Sequence, residues 1–424
     1  MYTETAIFRG TIAMVLVFTM GMHSRANGEE QVPPEPLILS GVIREALALN
    51  PEILAARHQW AAASQRIAQA RSFDDPTLSV QWWNTPESFD LGRAQNTIIG
   101  LSQKLPFPGK LALKEEVAGR SADITEQALR SKERELVARV KQSYYDLFLS
   151  HKAIQIHHEQ IDLLTQFLQT AIAKFRTGKG SQVDVLKAQV ELSTLHQQLP
   201  VLEQRRETAQ AKINTLLSKD PRTPLGLPEE PRVERFAKDL DELFQMAADA
   251  RPEVKAAGLA IQRNEHARAL AQRQYYPDAT VTVQRFQNFQ AGDGFGAIMA
   301  INLPFAFWTK PKYDAAVQEA GAAVAAARAD LQTLENMTRF QIRDVLAKVR
   351  ASWEVALLYR TTVLPQAEQS LASARAGYRT GRSNFLNLID ADRALREFQL
   401  AYYRALVEWQ QRVAELEQVV GREL

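Results

Sequence analysis

The 424-residue sequence contains no cysteine. Disulfides, thiol catalysis, Cys-containing metal sites and a lipid anchor on an N-terminal cysteine are therefore excluded. A charge excess is missing as well, since 51 Lys and Arg face 49 Asp and Glu for a formal net charge of +2. Nucleic-acid binding draws on a strong basic excess, so that partner class is excluded too. Beyond residue 26 no apolar run approaches the roughly 20 residues that cross a bilayer as a helix. A membrane span in the mature chain must then be built from strands. Catalytic signatures are also lacking. No G-x-x-x-x-G-K-S/T, G-x-S-x-G or H-E-x-x-H occurs, and Gly178-Lys179-Gly180-Ser181 is spaced as a helix–helix turn rather than a phosphate loop. His157-His158-Glu159 invites a metal reading, but adjacent helical side chains diverge, and His151 and His158 are expected at a helix–helix contact. Glu115-Glu116 and Glu229-Glu230 read as solvated charges. No enzyme, cofactor or resident metal is expected.

What is present begins with an export signal. Arg9, the apolar run from Ile12 to Met22 and the small residues of Ser24-Arg25-Ala26 form a basic, an apolar and a cleavage region in order. Residues 1–26 are expected to be removed, leaving Asn27 as the mature N-terminus. The apolar run is too short for an anchor helix.

The rest of the chain is written twice. Phe175-Arg176-Thr177-Gly178 returns as Tyr378-Arg379-Thr380-Gly381, 203 positions later. Asn50-Pro51-Glu52 returns as Arg251-Pro252-Glu253, Pro76 as Pro277, and Leu105-Pro106-Phe107 as Leu303-Pro304-Phe305. Landmarks kept in one order mark a tandem duplication of a unit of about 200 residues, far longer than a solenoid repeat. The expected divisions are a first repeat over 27–220, a linker over 221–238 rich in proline at its start, and a second repeat over 239–424.

Within each unit the order reads helix, two strands, long helix, turn, long helix. Leu78, Val80 and Trp82 alternate with Ser79 and Gln81, as Val281 and Val283 do with Thr280, Thr282 and Gln284. That period of two predicts half-buried strands over 77–83 and 279–286, with return strands over 97–105 and 296–303. If these strands lie in a membrane, the apolar positions face lipid and the polar ones a lumen. Between Gly119 and Gly178 there are 58 residues with neither Gly nor Pro. Long helices are predicted over 110–177, 181–218, 311–377 and 383–421, the first roughly 100 Å long at 1.5 Å per residue. Apolar heptad positions at Val140, Leu147, Ile154, Ile161, Leu168 and Phe175, and again from Leu388 to Leu416, predict helix-on-helix seams. At the turns, Gly178 and Gly381 suit left-handed helix ends, and Ser181 and Ser383 suit caps of the returning helices. Asp184 and Asp390 near those helix starts are also accounted for by the helix dipole.

The duplicated order, with its Phe-Arg-Thr-Gly and Tyr-Arg-Thr-Gly turns followed by Val183-Asp184-Val185-Leu186 and Phe385-Leu386-Asn387-Leu388-Ile389-Asp390-Ala391, resembles the TolC-like outer membrane efflux family across essentially the whole mature chain. Leu105-Pro106-Phe107-Pro108-Gly109-Lys110 is similar to its heavy-metal (cobalt-zinc-cadmium or copper) branch. The resemblance implies a mainly α fold with a small β part. Three chains each give four strands to one 12-stranded barrel in the outer membrane of a Gram-negative cell, and their long helical hairpins continue as an α-barrel through the periplasm. It implies a homotrimer in contact with outer-membrane lipid, docked to a periplasmic adaptor and an inner-membrane pump of the resistance-nodulation-division type. The channel is then a passive duct for heavy-metal cations or drugs. Motif by motif, Asp390 matches a constriction aspartate at the periplasmic entrance, and Asn387 stands where a second one is expected. Asp184 matches a link-forming aspartate and Tyr378 its partner. Ser383 stands in place of the linking arginine, with Arg382 adjacent. The contrasting expectation, a soluble periplasmic coiled-coil scaffold or adaptor, places the alternating segments in a small sandwich.

Overall fold

The computed structural model describes residues 36–88, 91, 94–231, 233–234, 236–288 and 292–424. The export signal, residues 1–26, lies outside the described residues. Each half opens with a short helix and a longer one: α1 (Leu39–Leu49) and α2 (Pro51–Arg71), then α5 (Leu240–Ala250) and α6 (Pro252–Arg273). Proline sits at the first position of α2 and α6, where its missing N–H costs nothing. The Asn50 side chain caps α2 by accepting from Glu52 N at 2.9 Å. The sequence reading placed the first helix of each unit at Pro51 and Pro252 and did not resolve α1 and α5, which turn with periods of only three helical turns.

The long helices are α3 (Lys110–Arg176) and α4 (Gln182–Leu216) in the first half, and α7 (Lys310–Leu358), α8 (Leu364–Thr380) and α9 (Phe385–Val420) in the second. At 67 residues, α3 is about 100 Å long. The single helix expected over 311–377 is instead divided by a π-helical turn at Tyr359–Val363. The cause is local: Pro365 has no N–H for the Thr361 carbonyl and its ring crowds that carbonyl, and the turn before it widens so that Leu364 N bonds Tyr359 O, five residues back. Among the described residues no helix is long and apolar enough to cross a membrane.

Strands β1 (Thr77–Trp83), β2 (Asn96–Leu105), β3 (Ala279–Asn288) and β4 (Gly294–Ile301) form one antiparallel sheet in the order β1-β2-β3-β4. The two hairpins meet where β2 pairs β3, with Leu101 opposite Val283 and Ser102 opposite Thr282. One face of the sheet carries Leu78, Val80, Leu101, Val283, Met299 and Ile301, all exposed in the isolated chain. The other carries Ser79, Gly100, Ser102, Thr282 and Gln284, and there Ser102 and Thr282 hydroxyls bond at 2.7 Å. Among the described residues the outer edges of β1 and β4 have no partner strand.

Below the sheet the halves are clasped. The Lys110 ammonium, 2% exposed, donates to Asp278 Oδ1 at 2.7 Å and to the Tyr276 carbonyl at 2.8 Å. Asp278 Oδ1 also accepts from Phe107 N at 2.9 Å, and the Phe107 ring stacks on Tyr276. The alanine-rich start of α7 lies against α6, where Asn264 donates to the Ala323 carbonyl at 3.1 Å. Further along, Lys141 on α3 pairs with Glu417 on α9 at 2.5 Å. The proline-rich stretch after α4 is packed rather than loose. Asn214 Nδ2 bonds the Pro221 and Thr223 carbonyls, and the Tyr144 hydroxyl donates to the Leu37 carbonyl while accepting from Glu229 N.

Three apolar clusters follow along the molecule. Leu136, Val140, Leu147, Phe148 and Ile213 centre the first, and Ile342, Val349, Leu406 and Leu416 the second. The third joins α3, α4, α8 and α9 through Leu164, Phe167, Ala188, Leu195, Tyr378 and Phe385. The heptad row read along α3 holds at Val140 and Leu147 but not beyond. Ile154, Ile161 and Leu168 are half-buried and Phe175 is exposed, while Ile156, Gln160, Leu164, Phe167 and Ala171 are buried. The d row keeps its spacing of seven throughout, with Leu136, Ser143, Ser150, His157, Leu164 and Ala171 all buried.

Candidate functional site

The two turns joining the long helices, α3 to α4 and α8 to α9, lie at the end remote from the sheet. Gly178 has φ +69° and Gly381 φ +75°, a conformation costly for residues with a Cβ. In the first turn Lys179 N bonds the Lys174 carbonyl at 2.9 Å, and in the second Arg382 N bonds the Gly377 carbonyl at 2.8 Å. Those bonds satisfy carbonyls that a helix end leaves free. Ser181 Oγ caps α4, accepting from Val183 N at 3.1 Å. The expected counterpart, Ser383, does not cap α9. Asn384 does, accepting from Asn387 N at 2.9 Å, because α9 starts one residue later than the matching serine allows. Ser383 Oγ instead accepts from Asn387 Nδ2 at 3.4 Å.

Tyr378 is turned inward, 4% exposed, with its ring edge-on to Phe385 at 5.3 Å. Lys174 reaches across from α3, its Nζ 4.3 Å from the Tyr378 ring centre while donating to the Tyr378 carbonyl. The Tyr378 hydroxyl has no hydrogen-bond partner among the described residues. Burial, with a further contribution from the Asp184 charge, pushes this phenol up to about 12. Asp184 is half-buried in the first turn of α4, near enough to act on the phenol but not bonded to it. Arg382 is exposed and lines a cleft with Ser370, Gly377, Thr380 and Asn387. Asp390 is exposed on α9, 3.9 Å from Arg393. Asn387, Arg382 and Asp390 thus share one solvent-facing side of the second turn, while Tyr378 belongs to the packed side.

Between these turns and the middle of the molecule lies a buried polar group that sequence reasoning missed. Glu191 on α4 is 5% exposed and pairs with Arg393 and, at 3.7 Å, with Arg396, both on α9. Gln160 on α3 donates to Asp392 Oδ2, while Asp392 Oδ1 is buried with no partner among the described residues. Burial dominates there and raises the Asp392 carboxyl to about 6, against the lowering effect of Gln160 and the arginines. Nearby, His157 Nε2 lies 2.6 Å from the Leu195 carbonyl, so that nitrogen carries the proton, and burial lowers the ring's basicity. His158, which the sequence reading placed on the seam, is exposed; counted from the a positions Val140, Leu147 and Ile154 the d position is His157, and that ring is the buried one. His151 is half-buried, its basicity lowered by burial. The one sequence signal for this group was a polar residue, Gln160, inside the apolar stripe of Leu164, Phe167 and Ala171.

The model of the outer membrane efflux protein family matches residues 42–219 and 243–422. The chain belongs to that family. The two matched stretches coincide with the two halves of the fold. The cobalt-zinc-cadmium resistance protein CzcC of Cupriavidus metallidurans is 24% identical over 394 residues, covering 91% of this chain and 90% of CzcC. Among solved structures, the open state of the MtrE outer membrane channel of Neisseria gonorrhoeae aligns with a TM-score of 0.75 at 18% identity, covering 91% of this chain and 89% of MtrE. The outer membrane protein VceC of Vibrio cholerae aligns with a TM-score of 0.73 at 18% identity, covering 91% and 96%. The protein is an outer membrane efflux channel, with the sheet in the membrane and the long helices extending into the periplasm.

Proposed function

We propose that three copies of the chain close into one duct, a passive conduit with no catalytic step. The observation that carries this reading is the four-stranded sheet with two edges unpaired among the described residues, set on helices of which the longest, α3, runs about 100 Å. One face of the sheet is lined by exposed apolar residues, and the other mixes Ser79, Ser102, Thr282 and Gln284 with Ile98, Phe286 and Ile298. Open strand edges are not tolerated in a bilayer, so β4 of one copy pairs with β1 of the next until twelve strands close a barrel. The helices of the three copies continue the wall as an α-barrel. Its far end meets a periplasmic adaptor and an inner-membrane pump of the resistance-nodulation-division type. The likeness to a cobalt-zinc-cadmium resistance protein supports metal cations as cargo.

The periplasmic entrance is formed by the α8–α9 turn and its first-repeat counterpart. Three Asp390 carboxylates around the threefold axis attract cations, and Asn387 adds neutral oxygens in place of a second ring of charge. Asp184 and Tyr378 stand on the packed side of the same turns, where Lys174 of α3 reaches across to Tyr378 of α8. Asp390→Ala tests the ring. In planar-bilayer recordings it is expected to weaken block by divalent or trivalent cations added on the periplasmic side while trimers still assemble. Block equal to that of the parent channel would return Asp390 to the role of a surface charge. The soluble-scaffold reading is less compatible with a sheet whose Leu78, Val80, Leu101, Val283 and Met299 face outward with nothing over them.

A further inference from the structure

The motif that ends each hairpin occurs twice, as Leu105-Pro106-Phe107 and Leu303-Pro304-Phe305, and the two copies are turned opposite ways. Phe107 points inward, stacked on Tyr276 with ring centres 4.5 Å apart, and Lys110 behind it is buried against Asp278. Phe305 points outward at 61% exposure, followed by Phe307 at 83% and Trp308 at 71%. The backbone that carries these rings is firmly wound. Ala306 N bonds the Leu303 carbonyl, Lys310 N bonds the Ala306 carbonyl at 2.9 Å, and the Thr309 hydroxyl lies 3.0–3.3 Å from three carbonyls of the turn. Phe307 and Trp308 meet edge to face at 4.7 Å, and among the described residues that is their only ring contact.

An ordered turn that holds three aromatic side chains away from its own chain forgoes burial of about 150–250 Å² for each. Their position says what covers them. The turn directly continues β4, whose outward residues Phe295, Met299 and Ile301 form an exposed apolar line, and the line runs on through Leu303. Just past the turn Lys312 is exposed. An apolar band ending in aromatic rings and then a cation is the order in which a protein surface passes from acyl chains to headgroups. We propose that Phe305, Phe307 and Trp308 form an anchor seated among the phospholipid headgroups of the periplasmic leaflet, contributed by the second repeat alone. The first repeat's copy of the motif serves the internal clasp instead. The anchor fixes the depth at which the helices leave the membrane, and it rests on the reading that the strands lie in the outer membrane.

The cysteine-free sequence permits a clean test. Trp308→Cys and, as a reference on β4, Met299→Cys each carry a nitroxide in trimers reconstituted into phosphatidylethanolamine and phosphatidylglycerol vesicles. At both positions dissolved oxygen is expected to collide with the label more often than a water-soluble nickel chelate does, with position 308 reading shallower than 299. A label at 308 that meets the chelate as freely as a solvent-exposed site would overturn the anchor. A label at 308 shielded from both probes would overturn it in favour of a contact with the neighbouring copy, whose exposed Phe73 precedes β1. Lipid contact at 299 without lipid contact at 308 removes the anchor alone, whereas water contact at 299 removes the barrel reading along with it.

Discussion

Asp392→Asn separates the cost of a buried charge from the rest of the packing around α9. The parent carboxyl is raised from 3.8 to about 6 by burial, a difference of roughly 2 units, or about 3 kcal/mol between its two protonation states. Because the folded-state value is the higher one, the folded chain binds this proton more tightly than the unfolded chain does. The associated stability is therefore fully present below about pH 4 and is lost as pH rises through 6. Five other side chains lie around Asp392: Glu191 on α4, Arg393 and Arg396 on α9, and Gln160 and His157 on α3. The His157 ring, its basicity lowered by burial, opposes folding as pH falls through the unfolded-state value of about 6.5, but it does so in parent and variant alike and drops out of their difference. The window compared is pH 5 to 7.5. Asparagine keeps an oxygen for Gln160 and removes the titration. Denaturant unfolding followed by helical circular dichroism should show parent stability falling across that window by about 1.4 kcal/mol more than that of Asp392→Asn, the rest of the difference lying below pH 5. Parallel pH profiles for parent and variant would refute the assignment of a costly buried carboxylate at this position.

The clasp below the sheet should respond differently, because its charges are paired. Lys110→Met leaves Asp278 without its cation and is expected to cost about 3 kcal/mol, with partial recovery in the Lys110→Met/Asp278→Asn double variant. Thermal unfolding of the three proteins checks this, and a double variant no better than the single one would argue against the pairing. Gly381→Ala is expected to lose about 1–2 kcal/mol from left-handed strain alone, since no atom lies within 4 Å of the added Cβ. Gly381→Asn should lose clearly less in the same assay. In the sheet, Val283→Arg places a charge on the apolar face and is expected to cost about 2–4 kcal/mol near mid-bilayer, whereas Thr282→Arg on the opposite face should cost far less. Equal tolerance at 282 and 283, measured by refolding into lipid, would rule out this orientation of the barrel wall.

Features encoded by neighbouring residues were legible in the sequence. Proline at the start of α2 and α6, the period of two in β1 and β3, and glycine after an aromatic at both helix turns each act within a few positions, and duplication shows them twice. The π-helical turn had a local cause in Pro365, but helical periodicity on both sides masked it. Contacts between distant segments were not legible. Lys110 was read as part of a motif, yet what buries it is Asp278, 168 positions away. Gln160 and Asp392 are 232 positions apart, and nothing in either segment specifies the other. Tyr378 and Phe305 show the same limit from two sides, since whether an aromatic turns inward or outward depends on the partner surface rather than on its own neighbours. Along α3 the d row was legible, since it runs unbroken through His157, whereas beyond Leu147 the a row gives way to Gln160 and Phe167 because of what packs there.

The most direct test of a three-chain membrane duct is a combined measurement of mass and conductance. Protein extracted from the cell envelope is expected to run as a trimer that heating converts to the monomer, and the unheated particle should open discrete, stable conductance steps in a planar bilayer that the heated sample does not. Recovery of the chain as a monomer in the soluble periplasmic fraction, with no conductance on reconstitution, would contradict the duct and return the long helices to the role of a soluble scaffold.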